Sequence, residues 1–111
     1  MLQANVPLDL VSLKKAYAGG LRPSQLVAGI LERIARRGDD KVWIHRIQDK
    51  ALAARAAELE RADAATLPLY GVPFAVKDNI DVAGLPTTAA CPEFSYVAKA
   101  SAPVVERLTG K

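Results

Sequence analysis

The 111-residue sequence has little cysteine, histidine or aromatic character. Its single cysteine, Cys91, cannot form an internal disulfide, and with the only histidine, His45, it cannot build a Cys/His metal cluster. Aromatic residues make up 5% of the chain, so a core must rely on Leu, Val, Ile and Ala. We therefore predict a single small domain, or a piece of a larger one, that uses no metal and no other cofactor.

Long apolar runs are also absent. No stretch approaches the roughly 20 apolar residues that a membrane span needs. The first ten residues reach Asp9 without the basic and then apolar layout of a signal peptide. These absences predict a soluble, cytoplasmic protein without a membrane partner.

The formal net charge of +3 raises the question of a nucleic-acid partner. Before residue 67 there are eleven Lys and Arg against eight Asp and Glu, and from residue 67 onward four face four. The basic residues alternate with acidic ones, and no aromatic stripe accompanies them, whereas a phosphate-binding surface needs clustered Lys and Arg. We interpret the charge as a solvated helix surface and predict no nucleic-acid partner.

Apolar spacing predicts helices in the first part of the chain and one near its end. The three early helices are Leu8–Ala18, stopped by two glycines, Pro23–Arg37, and Lys50–Asp63 with Asp49 as its cap. A final helix is predicted after Ser101, which we expect to be its cap, with Pro103 in the first turn. That helix would end beside Lys111 with its apolar face unfinished.

Two segments have the character of strands. Val42–Ile47 is a short apolar run between charged turns, and Val72–Asp78 alternates with period two. Between Leu67 and Pro92 the chain becomes rich in proline, which predicts a boundary between a helical region, 1–66, and a second region, 67–111. Asp81–Gly84 is predicted to be a turn, followed by an extended crossing.

Lys77 is the residue that points most directly to chemistry. In the predicted strand it shares a face with Ala75 and Asn79, within an apolar run. A lysine drawn into an interior loses the hydration of its ammonium form, so that the neutral amine becomes a usable base. The alternative is a lysine at the end of an edge strand that points into water.

The run from Leu69 to Ile80, LYGVPFAVKDNI, resembles the lysine-bearing strand of the amidase signature family. The continuation from Asp81 to Cys91, DVAGLPTTAAC, is similar to the allophanate hydrolase branch of that family. The resemblance implies an α/β fold in which helices cover a mixed sheet, present here as N-terminal helices with part of the sheet. It also implies that residues 67–111 begin the catalytic core.

The resemblance further implies a Ser–cis-Ser–Lys triad in which Lys77 is the catalytic lysine. Such a lysine takes a proton from the nucleophilic serine through a bridging serine, since an alcohol needs a base to attack an amide at neutral pH. The family's Gly/Ser-rich segment, which supplies both serines, is missing from this sequence. None of the four serines lies in a glycine-rich context: Ser12, Ser24, Ser95 and Ser101.

Other candidate residues have simpler interpretations. Cys91 as a nucleophile would need His45, which lies in a separate predicted strand, so a buried or loop thiol is favoured. Asp78 and Asp81 could pair as carboxylates, but turn-forming and backbone-capping roles are more typical of aspartates in such segments. The pair Thr87-Thr88 could line a substrate pocket, as the family resemblance would allow, but a β-branched pair in an extended segment needs no such role.

We therefore interpret the sequence as the N-terminal part of an amide-bond hydrolase resembling allophanate hydrolase, which degrades a urea-derived amide to carbon dioxide and ammonia. We expect it to be inactive alone. Two alternatives stay open: another amidase-signature enzyme, either a general amidase or an amidotransferase subunit, and a non-catalytic remnant or interaction module. The expected partner of the complete enzyme is a small-molecule amide. Unpaired sheet edges are also compatible with a homo-oligomer.

Overall fold

The computed structural model describes residues 6–111, which divide into two compact units. The first unit combines residues 6–40 with Ile47–Pro73, and the second combines Lys41–Arg46 with Phe74–Lys111. The first unit is helical. It contains three α-helices: α1, Leu10–Ala18; α2, Pro23–Arg37; and α3, Asp49–Glu60. A single 3-10 turn, Ala64–Thr66, follows them.

Helix α1 begins where its sequence offers a cap. The carboxylate of Asp9 accepts a hydrogen bond from the backbone N–H of Ser12 at 2.9 Å, which satisfies one of the free N–H groups of the first turn. That bond also lowers the pKa of Asp9. The helix ends before Gly19 and Gly20, and Gly20 has a φ of +108°, a conformation that favours glycine.

Helices α2 and α3 pack against each other, and each contributes a buried residue, Leu26 and Ala56. The predicted start of α2 at Pro23 is confirmed, since the first helical residue needs no N–H for an intrahelical hydrogen bond. The Glu60 carboxylate at the end of α3 accepts the N–H of Ser24 at 2.9 Å. One prediction was wrong: Asp49 is the first residue of α3 and not its cap, a place where its negative charge suits the helix dipole.

The second unit contains a two-stranded antiparallel sheet and one short helix. Strand β1 is Pro86–Thr87, strand β2 is Tyr96–Val97, and Thr87 faces Tyr96. A 3-10 turn, Pro92–Phe94, lies between the strands, and helix α4 spans Pro103–Thr109. The buried residues of this unit include two apolar side chains, Ala98 and Val105, and the polar Thr87.

Two predicted strands are not formed in the part of the chain that the structure describes. Val42–Ile47 is irregular and exposed, and residues 72–77 are irregular although they precede a tight turn. Period-two alternation indicates which side chains share a face, but a strand also needs a neighbour for its N–H and C=O groups. Neither segment belongs to the sheet of residues 6–111, whose two strands are β1 and β2.

The sequence predicts Ser101 as the cap of α4, and this prediction is wrong. The residue before the helix is Ala102, and the Ser101 hydroxyl oxygen accepts a hydrogen bond from the Ala83 N–H at 2.9 Å. The predicted class is confirmed in outline: N-terminal helices are combined with a small piece of sheet. Within residues 6–111, no helix combines the length and the apolar character that crossing a membrane requires.

Candidate functional site

Lys77 lies at the end of the irregular segment 72–77, and its side chain is exposed. Burial alternates from residue 76 to residue 80: Val76, Asp78 and Ile80 are partly buried, whereas Lys77 and Asn79 are exposed. The predicted two-faced character is thus present without a strand from residue 76 onward, whereas Phe74 and Ala75 are both exposed, so the predicted faces are not seen there. The Lys77 carbonyl accepts the N–H of Ile80 at 3.0 Å, which closes a turn directly after the lysine.

Asp78 binds a segment ten residues further along the chain. One carboxylate oxygen accepts the N–H of Thr88 at 3.3 Å, and the other accepts the Thr88 hydroxyl and the Ala90 N–H, the latter at 3.2 Å. The main-chain carbonyl of Asp78 also accepts the N–H groups of Thr88 and Ala89, at 3.2 and 3.1 Å. The predicted backbone-capping role of Asp78 is therefore confirmed.

These hydrogen bonds act on the ionisation of Asp78. The Thr88 hydroxyl contributes most to lowering the pKa of the Asp78 carboxyl, and the N–H groups of Ala90 and Thr88 lower it further. An electrostatic contribution from His45 acts in the same direction. Donors that bind a carboxylate stabilise its charged form, so Asp78 is held as an anion.

The segment that Asp78 binds is an unusual turn. Ala89 and Ala90 have φ values of +49° and +61°, and the Cys91 N–H donates to the Thr88 carbonyl at 2.8 Å. Positive φ at both central residues is the signature of a type I′ turn, which normally requires glycine or asparagine. Sequence reasoning missed this turn because alanine carries no signal for it.

Asp81 has a separate set of partners and does not pair with Asp78. Its carboxylate accepts the hydroxyls of Tyr96 and Thr87, the latter at 2.8 Å, and its carbonyl accepts the Ala102 N–H at 3.0 Å. The hydrogen bond from Tyr96, followed by that from Thr87, lowers the pKa of Asp81. The same bond to Asp81 is the main cause that raises the pKa of Tyr96. Asp81 thus fastens β1, β2 and the start of α4 together.

A cavity of about 390 Å³ opens beside the turn that Asp78 binds. Its lining is mostly apolar, with hydroxyls from two residues, and consists of Ile44, Thr88, Ala90, Pro92 and Ser95.

Cys91 is a half-buried free thiol, as predicted. No cluster of His, Cys, Asp and Glu within residues 6–111 could hold a metal ion.

The segment around Lys77 therefore presents one exposed lysine, followed in the chain by an aspartate whose carboxylate is bound to a strained turn. Comparison with known proteins identifies the class. A model of the Amidase family matches residues 25–111, and the chain belongs to this family.

Individual relatives make the resemblance more specific. The chain is 54% identical to the urea amidolyase of Saccharomyces cerevisiae over 70 residues, which are 62% of this chain and 4% of that protein. It is 39% identical over 93 residues to a protein of Mycobacterium tuberculosis described as an amidase, covering 81% of this chain and 20% of that one. The chain thus spans at most a fifth of the length of these relatives.

Among solved structures, the allophanate hydrolase of Kluyveromyces lactis superimposes with a TM-score of 0.67 and 37% identity. The match covers 86% of this chain and 16% of that chain. The urea amidolyase of the same organism gives the same TM-score and identity over 6% of its length. The similarity to the allophanate hydrolase branch of the family, which the sequence predicted, is confirmed.

Proposed function

We propose that residues 67–111 form the start of the catalytic core of an allophanate hydrolase-type amidase, and that Lys77 is its catalytic base. The observation that carries this proposal is the position of Lys77: it falls within the run that resembles the family's lysine strand, it is exposed, and the residue after it, Asp78, is anchored by hydrogen bonds. An exposed amine can be reached by hydroxyl groups from the rest of a complete active site.

The proposed chemistry assigns one step to this chain. The Lys77 amine removes a proton, through a bridging serine, from the serine that attacks the amide carbon. Collapse of the resulting adduct breaks the C–N bond, the proton passes to the departing nitrogen, and ammonia leaves. Water then releases the acid from the acyl-enzyme. The two serines must come from sequence outside residues 1–111, because no serine here lies in a glycine-rich segment.

A general amidase is the second candidate. It is supported by the 39% identity to the mycobacterial protein over a longer part of the chain than the urea amidolyase match covers. The substrate distinguishes the two candidates, because allophanate carries a carboxylate that a simple aliphatic amide lacks.

We also propose that the protein acts in the cytoplasm, on the ground of its single cysteine.

The test is a chimera in which residues 25–111 replace the matching part of the Kluyveromyces lactis allophanate hydrolase. Ammonia release is measured from allophanate, malonamide and simple aliphatic amides. We expect the chimera to release ammonia from allophanate and Lys77→Met to abolish this activity. The matched control is Lys99→Met, which should keep the activity, since Lys99 is an exposed lysine of the same unit. Equal activity of the two variants would refute the role of Lys77.

The 111-residue chain alone is the companion measurement. We expect it to release no ammonia from any of these amides, because a lysine without a nucleophile is an incomplete site. Turnover by the chain alone that Lys77→Met removes would show that a complete site lies within residues 1–111, and the requirement for outside serines would be wrong.

A further inference from the structure

A lysine that relays a proton must be held in place from outside its own side chain. Its ammonium lies at the end of a flexible four-carbon stem, whereas proton transfer needs heavy atoms about 2.6–3.2 Å apart. Strand pairing does not hold Lys77, since residues 72–77 form no ladder within residues 6–111. Some other contact must set the position of its backbone.

The next residue, Asp78, provides that contact. Both its carboxylate and its main-chain carbonyl are bound by the turn at Thr88, Ala89 and Ala90. Holding Asp78 at both groups fixes its Cα, and because the peptide unit between Lys77 and Asp78 is planar, only the rotations about the Asp78 N–Cα and Lys77 Cα–C bonds remain to place the Lys77 backbone. The turn in which the Lys77 carbonyl accepts the Ile80 N–H removes further freedom.

The backbone strain in the Thr88–Ala90 turn indicates that the contact with Asp78 has a function. Alanine in the left-handed region costs about 1–2 kcal/mol per residue, and Ala89 and Ala90 are both in that region. Such strain persists only where the surroundings over-determine the conformation, and it concentrates at functional sites. Asp78 supplies acceptors for the N–H groups of both alanines.

The charge of Asp78 is used in the turn and not on Lys77. Among the described residues no ion pair joins Lys77 to Asp78, and alternating burial places the two side chains on opposite faces. An ion pair would stabilise the ammonium and oppose a role as a base. Besides Thr88 and Ala90, which bind Asp78 by hydrogen bonds, His45 acts on Asp78 through an electrostatic contribution.

We propose that Asp78 is a positioning residue for Lys77: by binding the Thr88–Ala90 turn, it holds the backbone that presents the lysine amine to the reacting serines. The inference rests on the proposed function, in which Lys77 is the catalytic base. Asp78 itself touches no substrate in this proposal.

The first experiment uses NMR on the 111-residue chain with two variants, Asp78→Asn and Thr88→Val. Thr88→Val removes only the hydroxyl donor and keeps the side chain nearly the same shape. It therefore tests the same contact if Asp78→Asn fails to fold. We expect the Ala90 amide proton to exchange at least about tenfold faster in each variant. A factor of ten corresponds to the free energy that one hydrogen bond to a charged group contributes. The backbone order parameter of Lys77 should fall from about 0.85 towards 0.6.

The matched control is Asp81→Asn, which removes a carboxylate that binds two hydroxyls elsewhere in the same unit. We expect it to loosen Thr87 and Tyr96 but to leave the order parameter of Lys77 unchanged. The inference is wrong if Lys77 stays ordered while the turn loosens in the Asp78 and Thr88 variants. It is equally wrong if Lys77 is already mobile in the unaltered chain.

The second experiment places the same substitutions in the chimera with the Kluyveromyces lactis enzyme. A positioning role predicts that Asp78→Asn and Thr88→Val lower kcat about tenfold or more while KM for allophanate changes less than about twofold. If Lys77→Met is inactive but both variants keep full kcat, only the positioning role fails. If Lys77→Met stays active, the proposed function fails instead.

Discussion

The phenol of Tyr17 donates a hydrogen bond to the carbonyl of Gly71 over a distance of 2.7 Å, which joins residues 54 positions apart. The Tyr17 ring also meets the ring of Tyr70 edge to face, with centroids 5.3 Å apart. Burial, with a smaller contribution from Tyr70, raises the pKa of Tyr17 to about 12. Helix α1 is thereby fastened to the turn from which the Lys77 segment departs.

Tyr17→Phe tests this link. The substitution keeps the ring contact and removes one half-buried hydrogen bond, which should lower the free energy of unfolding by about 1 kcal/mol. The measurement is urea unfolding followed by circular dichroism. Tyr70→Phe is the control, and we expect a change below about 0.5 kcal/mol because the substitution keeps the ring contact with Tyr17. Equal effects of the two variants would contradict the importance of the Tyr17 hydroxyl.

Gly71→Ala should be considerably more damaging than Gly84→Ala. Both glycines have positive φ, +67° and +80°, so each substitution incurs about 1–2 kcal/mol of backbone strain. A Cβ on Gly71 would also overlap the phenol of Tyr17, whereas nothing lies within 4 Å of a Cβ on Gly84. The difference in unfolding free energy between the two variants measures the overlap, and we expect at least about 1 kcal/mol. No difference would mean that Tyr17 moves aside freely.

Ala89→Gly and Ala90→Gly should each stabilise the chain. Glycine removes the strain of positive φ, about 1–2 kcal/mol, but loses more backbone entropy on folding, about 0.5–1 kcal/mol. A net gain of about 0.5–1 kcal/mol should appear as a raised urea midpoint. Ala53→Gly, on the exposed face of α3, is the control and should destabilise by about 1 kcal/mol. Destabilisation by all three substitutions would show that the turn is not strained in solution.

Acid should weaken the second unit by protonating Asp78 and Asp81. Their pKa values in the folded chain lie below the ordinary value of 3.8, so that the unfolded chain binds more protons over the acidic range. The stabilisation is therefore present above about pH 4 and is lost as the pH falls through the folded pKa. Unfolding free energies measured from pH 5 to pH 2.5 should decline.

The acid dependence should become shallower in Asp78→Asn, which removes the titrating carboxylate. Thr88→Val should have a similar effect, because the Thr88 hydroxyl is the main cause that lowers the pKa of Asp78. A slope identical to that of the unaltered chain in both variants would show that Asp78 contributes nothing to acid sensitivity.

Hydrogen exchange should distinguish the Lys77 segment from α2. The amides of Leu26–Ile34 lie inside a regular helix, whereas residues 74–77 have no ladder partner among the described residues. We expect exchange at least tenfold faster in residues 74–77. Equal protection would contradict this expectation and would indicate that the segment pairs with a second copy of the chain, which a concentration series would test.

Signals that act over a few residues were readable from the sequence. Pro23 begins α2 as predicted, because the missing N–H is a property of proline itself. The amidase resemblance was equally local, being a continuous run around Lys77. Local chemistry thus determined the main helices, the family and the residue on which the proposed function depends.

The remaining features depend on partners that are distant in the sequence. Whether Val72–Asp78 becomes a strand depends on a neighbour for its backbone groups, which no local pattern supplies. The hydrogen bonds of Asp78 to the Thr88 turn, and the left-handed alanines that those bonds sustain, arise only when ten residues of chain fold back. Tertiary structure decided these points because hydrogen bonds between distant groups can outweigh an unfavourable local backbone conformation.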